Sequence, residues 1–283
     1  MAKFVPDIKT QRWIVISQTR FFRPDEFTKP AVNVGCPFCS GNEAITPPEI
    51  MRIGEGAPNT SGWRVRVVPN KFPITDIHEV IIHSPEHNKD LEEIPLADVA
   101  LVLTAYRSRF QVNSANGQVM IFCNHGELAG ASLTHPHSQL VVIPRQINLD
   151  ALVREPVMNV VDDNNFFFTY CPDFSQWPYE VWIAPKKTGT TFGDMTDDEL
   201  KDLSTILQIA LKRLLIKYNE PTTKKLRADT PFAYNFYIHH AKDWFIRIIP
   251  RLVHRAGFEL GTGLSVNIID PTEAARELKK IKI

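Results

Sequence analysis

The chain has 283 residues, 43% of them hydrophobic, with 32 Lys+Arg against 32 Asp+Glu. A formal charge of +0 offers no footprint for nucleic-acid backbones or anionic lipid, so neither partner is expected. No apolar run approaches the roughly 20 residues that span a bilayer, and the opening MAKFVPDIKT lacks a signal's apolar core, so a cytoplasmic protein is expected.

In chain order, residues 20–62 are rich in Pro, Gly and Asn and are expected to form irregular loops around Cys36 and Cys39. In a reducing compartment that C-x-x-C spacing points to metal or redox chemistry. Cys123 and Cys171 sit in apolar surroundings and are expected to be buried packing residues. A strand over His78-Glu79-Val80-Ile81-Ile82 leads to a helix starting near Pro95, with Val99, Val102, Leu103, Tyr106 and Phe110 on one face. The apolar strand from Gln139 to Ile143 follows, ending in Pro144-Arg145.

The same succession then recurs. Tyr179-Glu180-Val181-Trp182-Ile183 repeats the first strand, and Thr196 with Glu199 forms a capping box. That box opens a helix carrying Leu200, Leu203, Leu207, Leu211, Leu214 and Tyr218, and the strand from Phe245 to Ile249 again ends in Pro-Arg. Residues 219–231 read as a loop; Asp270, Pro271 and Glu273 read as the cap, first turn and closing box of a final short helix. A strand–helix–strand unit used twice predicts an α+β fold with a mostly antiparallel sheet flanked by helices. The expected division is 1–150 and 151–283.

The densest chemistry lies in Asn124-His125-Gly126-Glu127-Leu128-Ala129-Gly130-Ala131-Ser132-Leu133-Thr134-His135-Pro136-His137-Ser138-Gln139. Alternation along a strand entry sends His135, His137 and Gln139 to one face. The Gly- and Ser-containing loop upstream can offer backbone N–H groups and a hydroxyl to a phosphate.

This signature resembles the active site of the galactose-1-phosphate uridylyltransferase family, the transferase branch of the histidine-triad superfamily. The resemblance extends through Q-T-R-F-F-R-P, C-P-F-C-S-G-N, V-P-N-K-F-P, S-P-E-H, W-P-Y-E and G-F-E-L in the same order. It implies two tandem histidine-triad-like repeats, with the catalytic motif in the first and the second lacking it, Asp243 standing in the place of His137. It implies that His137 attacks the α-phosphorus of a nucleotide sugar to form a nucleotidyl-histidine, while Gln139 hydrogen-bonds a phosphoryl oxygen. A third histidine at Gln139 would suit hydrolysis; glutamine favours transfer.

By the same resemblance Arg20, Arg23, Asn124, Gly130 and Ser132 contact phosphates, Asn70 and Phe72 meet the nucleoside, and Glu259 recognises sugar hydroxyls across a homodimer interface. Cys36, Cys39, His87 and His135 match a structural zinc site. A second metal site found in some members lacks its histidines here, since the corresponding strand reads Phe245-Ile246-Arg247-Ile248-Ile249, and it is expected to be absent. The expected substrates are a nucleotide sugar and a sugar phosphate, with UMP as the transferred group. The ending from Gly257 to Gly263 is closer to a divergent branch that includes ADP-glucose phosphorylases, so adenylate and inorganic phosphate form the alternative. A nucleotide-sugar hydrolase and a non-catalytic nucleotide sensor are the readings from other classes. Gln139 argues against the first and the intact His137–Gln139 pair against the second.

Overall fold

Val-, Ile- and Phe-rich segments of four to eight residues build the sheets, and two segments of 18 and 23 residues, each with a buried apolar set, build the long helices. The computed structural model describes residues 2–7, 12–18, 20, 23, 35–149, 154, 156–226 and 230–283. The chain divides into two units, Met1–Phe122 with Ser132–Val153 and His239–Ala241, and Cys123–Ala131 with Arg154–Ile238 and Lys242–Ile283.

In the first unit, β1 (Lys3–Asp7) and β2 (Arg12–Ile16) form a two-stranded antiparallel ribbon. The main sheet takes β3 (Met51–Gly54), β4 (Trp63–Pro69), β5 (His78–Ile82), β6 (Gln118–His125, its last three residues belonging to the second unit) and β7 (His137–Ile143), with α1 (Leu96–Asn113) between β5 and β6. Their spatial order is β3-β4-β5-β7-β6. The second unit carries β8 (Val160–Asp163), β9 (Phe167–Tyr170), β10 (Val181–Pro185), α2 (Asp197–Asn219), α3 (Pro221–Lys224), β11 (Tyr234–Ile238), β12 (Ile246–Pro250), α4 (Gly257–Thr262) and α5 (Pro271–Lys280). Its order, β8-β9-β10-β12-β11, reproduces that of the first unit strand for strand. The mixed α/β fold with antiparallel strand pairing is the one expected.

Both long helices bury the faces anticipated for them, and Cys123 and Cys171 are buried. Thr196 and Glu199 close their capping box on α2. In the first unit Arg66, 1% exposed, ties the loop after Cys39 to β4. Its Nε donates to Glu49 Oε2 at 2.8 Å and its Nη1 to Thr46 Oγ1 at 2.8 Å. A buried charge of this kind is tolerated only when paired and hydrogen-bonded, and here the pairing fixes a segment rich in turn residues. Among the described residues, no helix is long and apolar enough to cross a membrane.

Four expectations need correction. The 20–62 segment is not loop throughout: β3 pairs with β4, because Met51-Arg52-Ile53 presents a hydrogen-bonding edge in register with Val67-Arg66-Val65. Its residues 21–22 and 24–34 lie outside the described residues. The 219–231 loop contains α3, started by Pro221 at a first helical position, with 227–229 outside the described residues. Tyr179 does not begin a strand; its φ of 56° places it in the left-handed region, in a turn where Glu180 N–H donates to Trp177 O. Asp270 caps α5 as read, but Glu273 pairs with Arg276 rather than closing a box.

Candidate active site

β7 is buried along nearly its whole length, which lets it hold polar groups in a fixed, low-dielectric setting. Its register against β5 sets Val80 opposite Gln139 and Ile82 opposite His137, so these side chains share one face. On the other face Ser138 Oγ lies 2.5 Å from Tyr106 OH and 2.8 Å from His83 Nε2, pinning the strand to α1 and to the end of β5.

His137 is 8% exposed. Its Nδ1 sits 2.8 Å from the backbone oxygen of His135. A carbonyl can only accept, so Nδ1 carries the proton and Nε2 holds the lone pair. His137 lines a cleft of about 210 Å³ with Gln139, Ser132, Asn70, Phe72 and Arg23, all within the first unit. Phe38, Val68, Val80 and Leu133 give the cleft an apolar wall continuous with the hydrophobic cluster beneath it. Lys71 and Arg23 bring positive charge to its lining. Arg20 donates from Nη1 to Phe72 O at 3.2 Å, and burial together with Arg23 lowers its pKa. Two neighbouring guanidiniums that disfavour each other's charge are a setting an anion relieves.

Four sequence-predicted ligands converge at the foot of β7. Cys36, Cys39, His87 and His135 bring one ligand atom each to within 4.8 Å of one another. His135 Nδ1 lies 3.7 Å from Cys36 Sγ and 3.6 Å from Cys39 Sγ, while His87 Nδ1 lies 3.3 Å from Cys39 Sγ. In a tetrahedron with the usual metal–sulfur and metal–nitrogen lengths, such atoms stand about 3.6 Å apart. His135 donates its Nε2–H to Ser84 O at 2.8 Å, which turns the Nδ1 lone pair toward the sulfurs. Burial, with Cys39 alongside, pushes the Cys36 thiol up to about 12, so a cation would be needed to hold it as thiolate at neutral pH. The donor set and its spacing therefore fit a closed four-ligand metal site.

Asn124, Gly130 and Glu259 belong to the second unit. Asn124 Oδ1 accepts from Asn235 Nδ2, which also donates to Ala129 O, both at 2.8 Å, so the glycine loop is shaped by Asn235. Gly130 adopts φ 76°, and nothing stands within 4 Å of where a Cβ would point, so its requirement is conformational rather than steric. Glu259, on α4, accepts from the backbone N–H of Ala256 at 3.0 Å. Asp243, at φ 57°, accepts from Gly189 N–H at 2.7 Å and shapes a turn. Arg247 on β12 is paired with Glu180 at 2.7 Å.

Sequence reasoning missed His78. Its Nε2 lies 3.0 Å from Gln139 Oε1, and it is 4% exposed. Burial, with Arg20 and Arg23 adding repulsion, lowers its pKa to about 4 from 6.5, against a smaller opposing effect of its bond to Gln139. The available signal was a histidine opening a strand whose antiparallel partner holds Gln139. The unfolded chain binds this proton more tightly than the folded one. Its contribution to stability is thus full above about pH 6.5 and declines as pH falls toward 4, by roughly 3 kcal/mol at most. Denaturant titrations of His78→Gln across that window are expected to give a shallower pH slope than wild type; an identical slope would show that His78 is not held neutral.

A buried antiparallel strand that opens with His-Ser-Gln beside a Cys₂His₂ cluster, in a twofold-repeated strand order, is the arrangement that the resemblance to the transferase branch of the histidine-triad superfamily implies. Residues 75–142 match the family described as "Galactose-1-phosphate uridyl transferase, N-terminal domain". An ADP-glucose phosphorylase from Arabidopsis thaliana is 27% identical over 98% of this chain and 92% of its own length. A galactose-1-phosphate uridylyltransferase from Thermotoga maritima is 23% identical over 97% of this chain and 96% of its own. The crystal structure of an ADP-glucose phosphorylase from Arabidopsis thaliana with bound ADP-glucose superposes with a TM-score of 0.74 at 25% identity, covering 100% of both chains. The chain is thus similar along nearly its whole length both to an ADP-glucose phosphorylase and to a galactose-1-phosphate uridylyltransferase.

Proposed function

We propose that this protein is a nucleotidyltransferase that moves a nucleoside monophosphate from a nucleotide sugar to an acceptor phosphate through a nucleotidyl-His137 intermediate. The observation that carries the proposal is the hydrogen bond from His137 Nδ1–H to His135 O, which leaves the nucleophilic lone pair on Nε2. In the first half-reaction Nε2 forms a bond to the α-phosphorus as the bond from phosphorus to the bridging oxygen breaks. The sugar 1-phosphate departs with that electron pair; as a stable anion it needs no proton. The ring, now cationic, keeps its Nδ1–H on the carbonyl dipole. A second phosphate oxygen then attacks the same phosphorus and returns His137 to neutrality.

Gln139 can donate to a phosphoryl oxygen but has no acidic proton to give, which favours transfer over hydrolysis. Arg20, Arg23, Asn124, Gly130 and Ser132 are assigned to the phosphates, and Asn70 and Phe72 to the nucleoside. Cys36, Cys39, His87 and His135 are assigned a structural zinc ion; two thiolates and two imidazoles suit Zn²⁺, and four protein ligands leave it no open position. Glu259 is assigned to the sugar hydroxyls in a homodimer, a reading supported by the exposure of Phe258 (55%) and Leu260 (76%) beside it. The common strand order of the two units supports duplicated halves, 1–150 and 151–283.

Uridylate passing to a sugar 1-phosphate is the first reading of the group transferred. Adenylate passing from ADP-glucose to inorganic phosphate is the second, favoured by the 27% identity to the Arabidopsis thaliana protein against 23% to the Thermotoga maritima one. Intact-mass spectrometry after brief incubation with UDP-glucose or ADP-glucose, quenched in alkali, decides between them. A single uridylyl or adenylyl adduct names the donor, whereas no adduct from any nucleotide sugar that binds would overturn the covalent mechanism.

A further inference from the structure

The amide of Gln139 has two ends, and only one of them donates. Which end faces the cleft follows from a chain of hydrogen bonds that begins at two backbone N–H groups. Ile74 N–H lies 2.9 Å from His78 Nδ1. A backbone N–H can only donate, so Nδ1 is the acceptor nitrogen and, in the neutral ring, the proton sits on Nε2. Phe72 N–H lies 2.8 Å from Asn70 Oδ1, which by the same logic makes the other end of Asn70 its NH₂. Both donors then meet one atom: His78 Nε2 is 3.0 Å, and Asn70 Nδ2 3.5 Å, from Gln139 Oε1. The 3.1 Å between Asn70 Nδ2 and His78 Nε2 is the spacing of two donors sharing that acceptor.

The reversed amide fails on the same count. It would set the Gln139 NH₂ against the Nε2–H of His78 and the NH₂ of Asn70, three donors with no acceptor, in a site where His78 and Gln139 are each 4% exposed. The carbonyl of Gln139 is thereby held inward, and its NH₂ is the end left for the cleft that it lines with His137.

We propose that His78 is a positioning residue for Gln139. Through its Nε2–H, and with Asn70 beside it, His78 fixes the amide so that NH₂ is presented to the phosphoryl oxygen of the nucleotide undergoing transfer. This rests on the nucleotidyl-His137 reading. His78 touches no reacting atom itself; it acts by removing the rotation that would present a carbonyl, and hence repulsion, to an anionic phosphoryl group.

The test is a double-mutant cycle measured as the rate of nucleotidyl-enzyme formation, using whichever of UDP-glucose or ADP-glucose gives the adduct. His78→Phe keeps a planar ring but no donor and is expected to slow adduct formation roughly 10–100-fold with little change in KM. In a Gln139→Ala background the same substitution is expected to slow it by less than about threefold, since the group it positions is gone. A full, additive loss in that background would overturn the proposal, because a merely structural His78 would act regardless of Gln139. His78→Gln, which can again offer a donor, is expected to recover most of the rate; failure to do so while folding normally also counts against it. Should His78→Phe not fold, ¹⁵N-histidine NMR of the wild type still decides the issue. A neutral Nε2–H tautomer at His78 is expected, and an Nδ1–H tautomer would refute the chain of donors. That measurement needs no activity, so absence of any adduct would count against the transfer mechanism, separately from the orientation of Gln139.

Discussion

His137→Ala is expected to lower turnover by roughly 10⁴-fold or more and to abolish the covalent adduct, while the protein still folds and keeps its metal. Removing a nucleophile deletes the intermediate, so residual activity can come only from direct attack by the acceptor in the cleft, and losses of this order follow when such a residue is removed. Stability should change far less. The ring is buried and makes an edge contact with Phe38 at 5.2 Å, so truncation leaves a small cavity worth about 1–3 kcal/mol. Turnover, intact mass and thermal melting of one preparation separate the two effects. Comparable turnover, or an adduct of undiminished yield, in purified His137→Ala would place the nucleophile elsewhere. Gln139→Ala offers a scale: loss of one phosphoryl donor should cost about 10²–10³-fold and leave the adduct detectable at long times.

Much of this site can be read from residue order alone, and the reason is local. His135, His137 and Gln139 lie within five residues on one strand entry, so period two brings them together without knowledge of the fold. The repeat was legible for the same reason: each half holds its own strand, helix and strand in succession, and the common strand order bears out that pattern. His78 was not legible. It meets Gln139 across 61 residues only because β5 and β7 are adjacent, with Val80 opposite Gln139 and His78 two pairs further on, on the same face. A register between strands separated by a helix is set by the packing of that helix and by turn geometry, neither of which a motif records. β3 escaped notice because Met51-Arg52-Ile53-Gly54 is short, amid turn residues, and gains its stability from β4 rather than from its own composition. Tyr179 shows the converse error. Its match to His78 in the repeat suggested a strand, but a positive φ bends the chain there, and its hydroxyl donates to Glu277 Oε2 at 2.7 Å.

Loss of one metal ligand is expected to give the largest effect on stability. Purified protein should contain one zinc per chain. Cys36→Ala should lose most of it and melt about 6–12 °C lower, the consequence of roughly 3 kcal/mol in a protein of this size. Turnover should fall as well, and for a geometric reason. The His135 ring belongs to the Cys₂His₂ cluster and its backbone oxygen receives the proton of His137 Nδ1, so loosening one loosens the nucleophile proposed above. A structural role predicts that activity lost on chelation returns when zinc is restored to refolded protein, and that it tracks the melting temperature rather than substrate affinity. Cys171→Ala is the internal control: the residue is fully buried and outside the cluster, so its variant should keep its metal whatever packing it loses. Full zinc content in Cys36→Ala would remove the thiolate from the site, and a disulfide between Cys36 and Cys39 under reducing conditions would replace metal binding with redox chemistry as the meaning of the C-x-x-C pair.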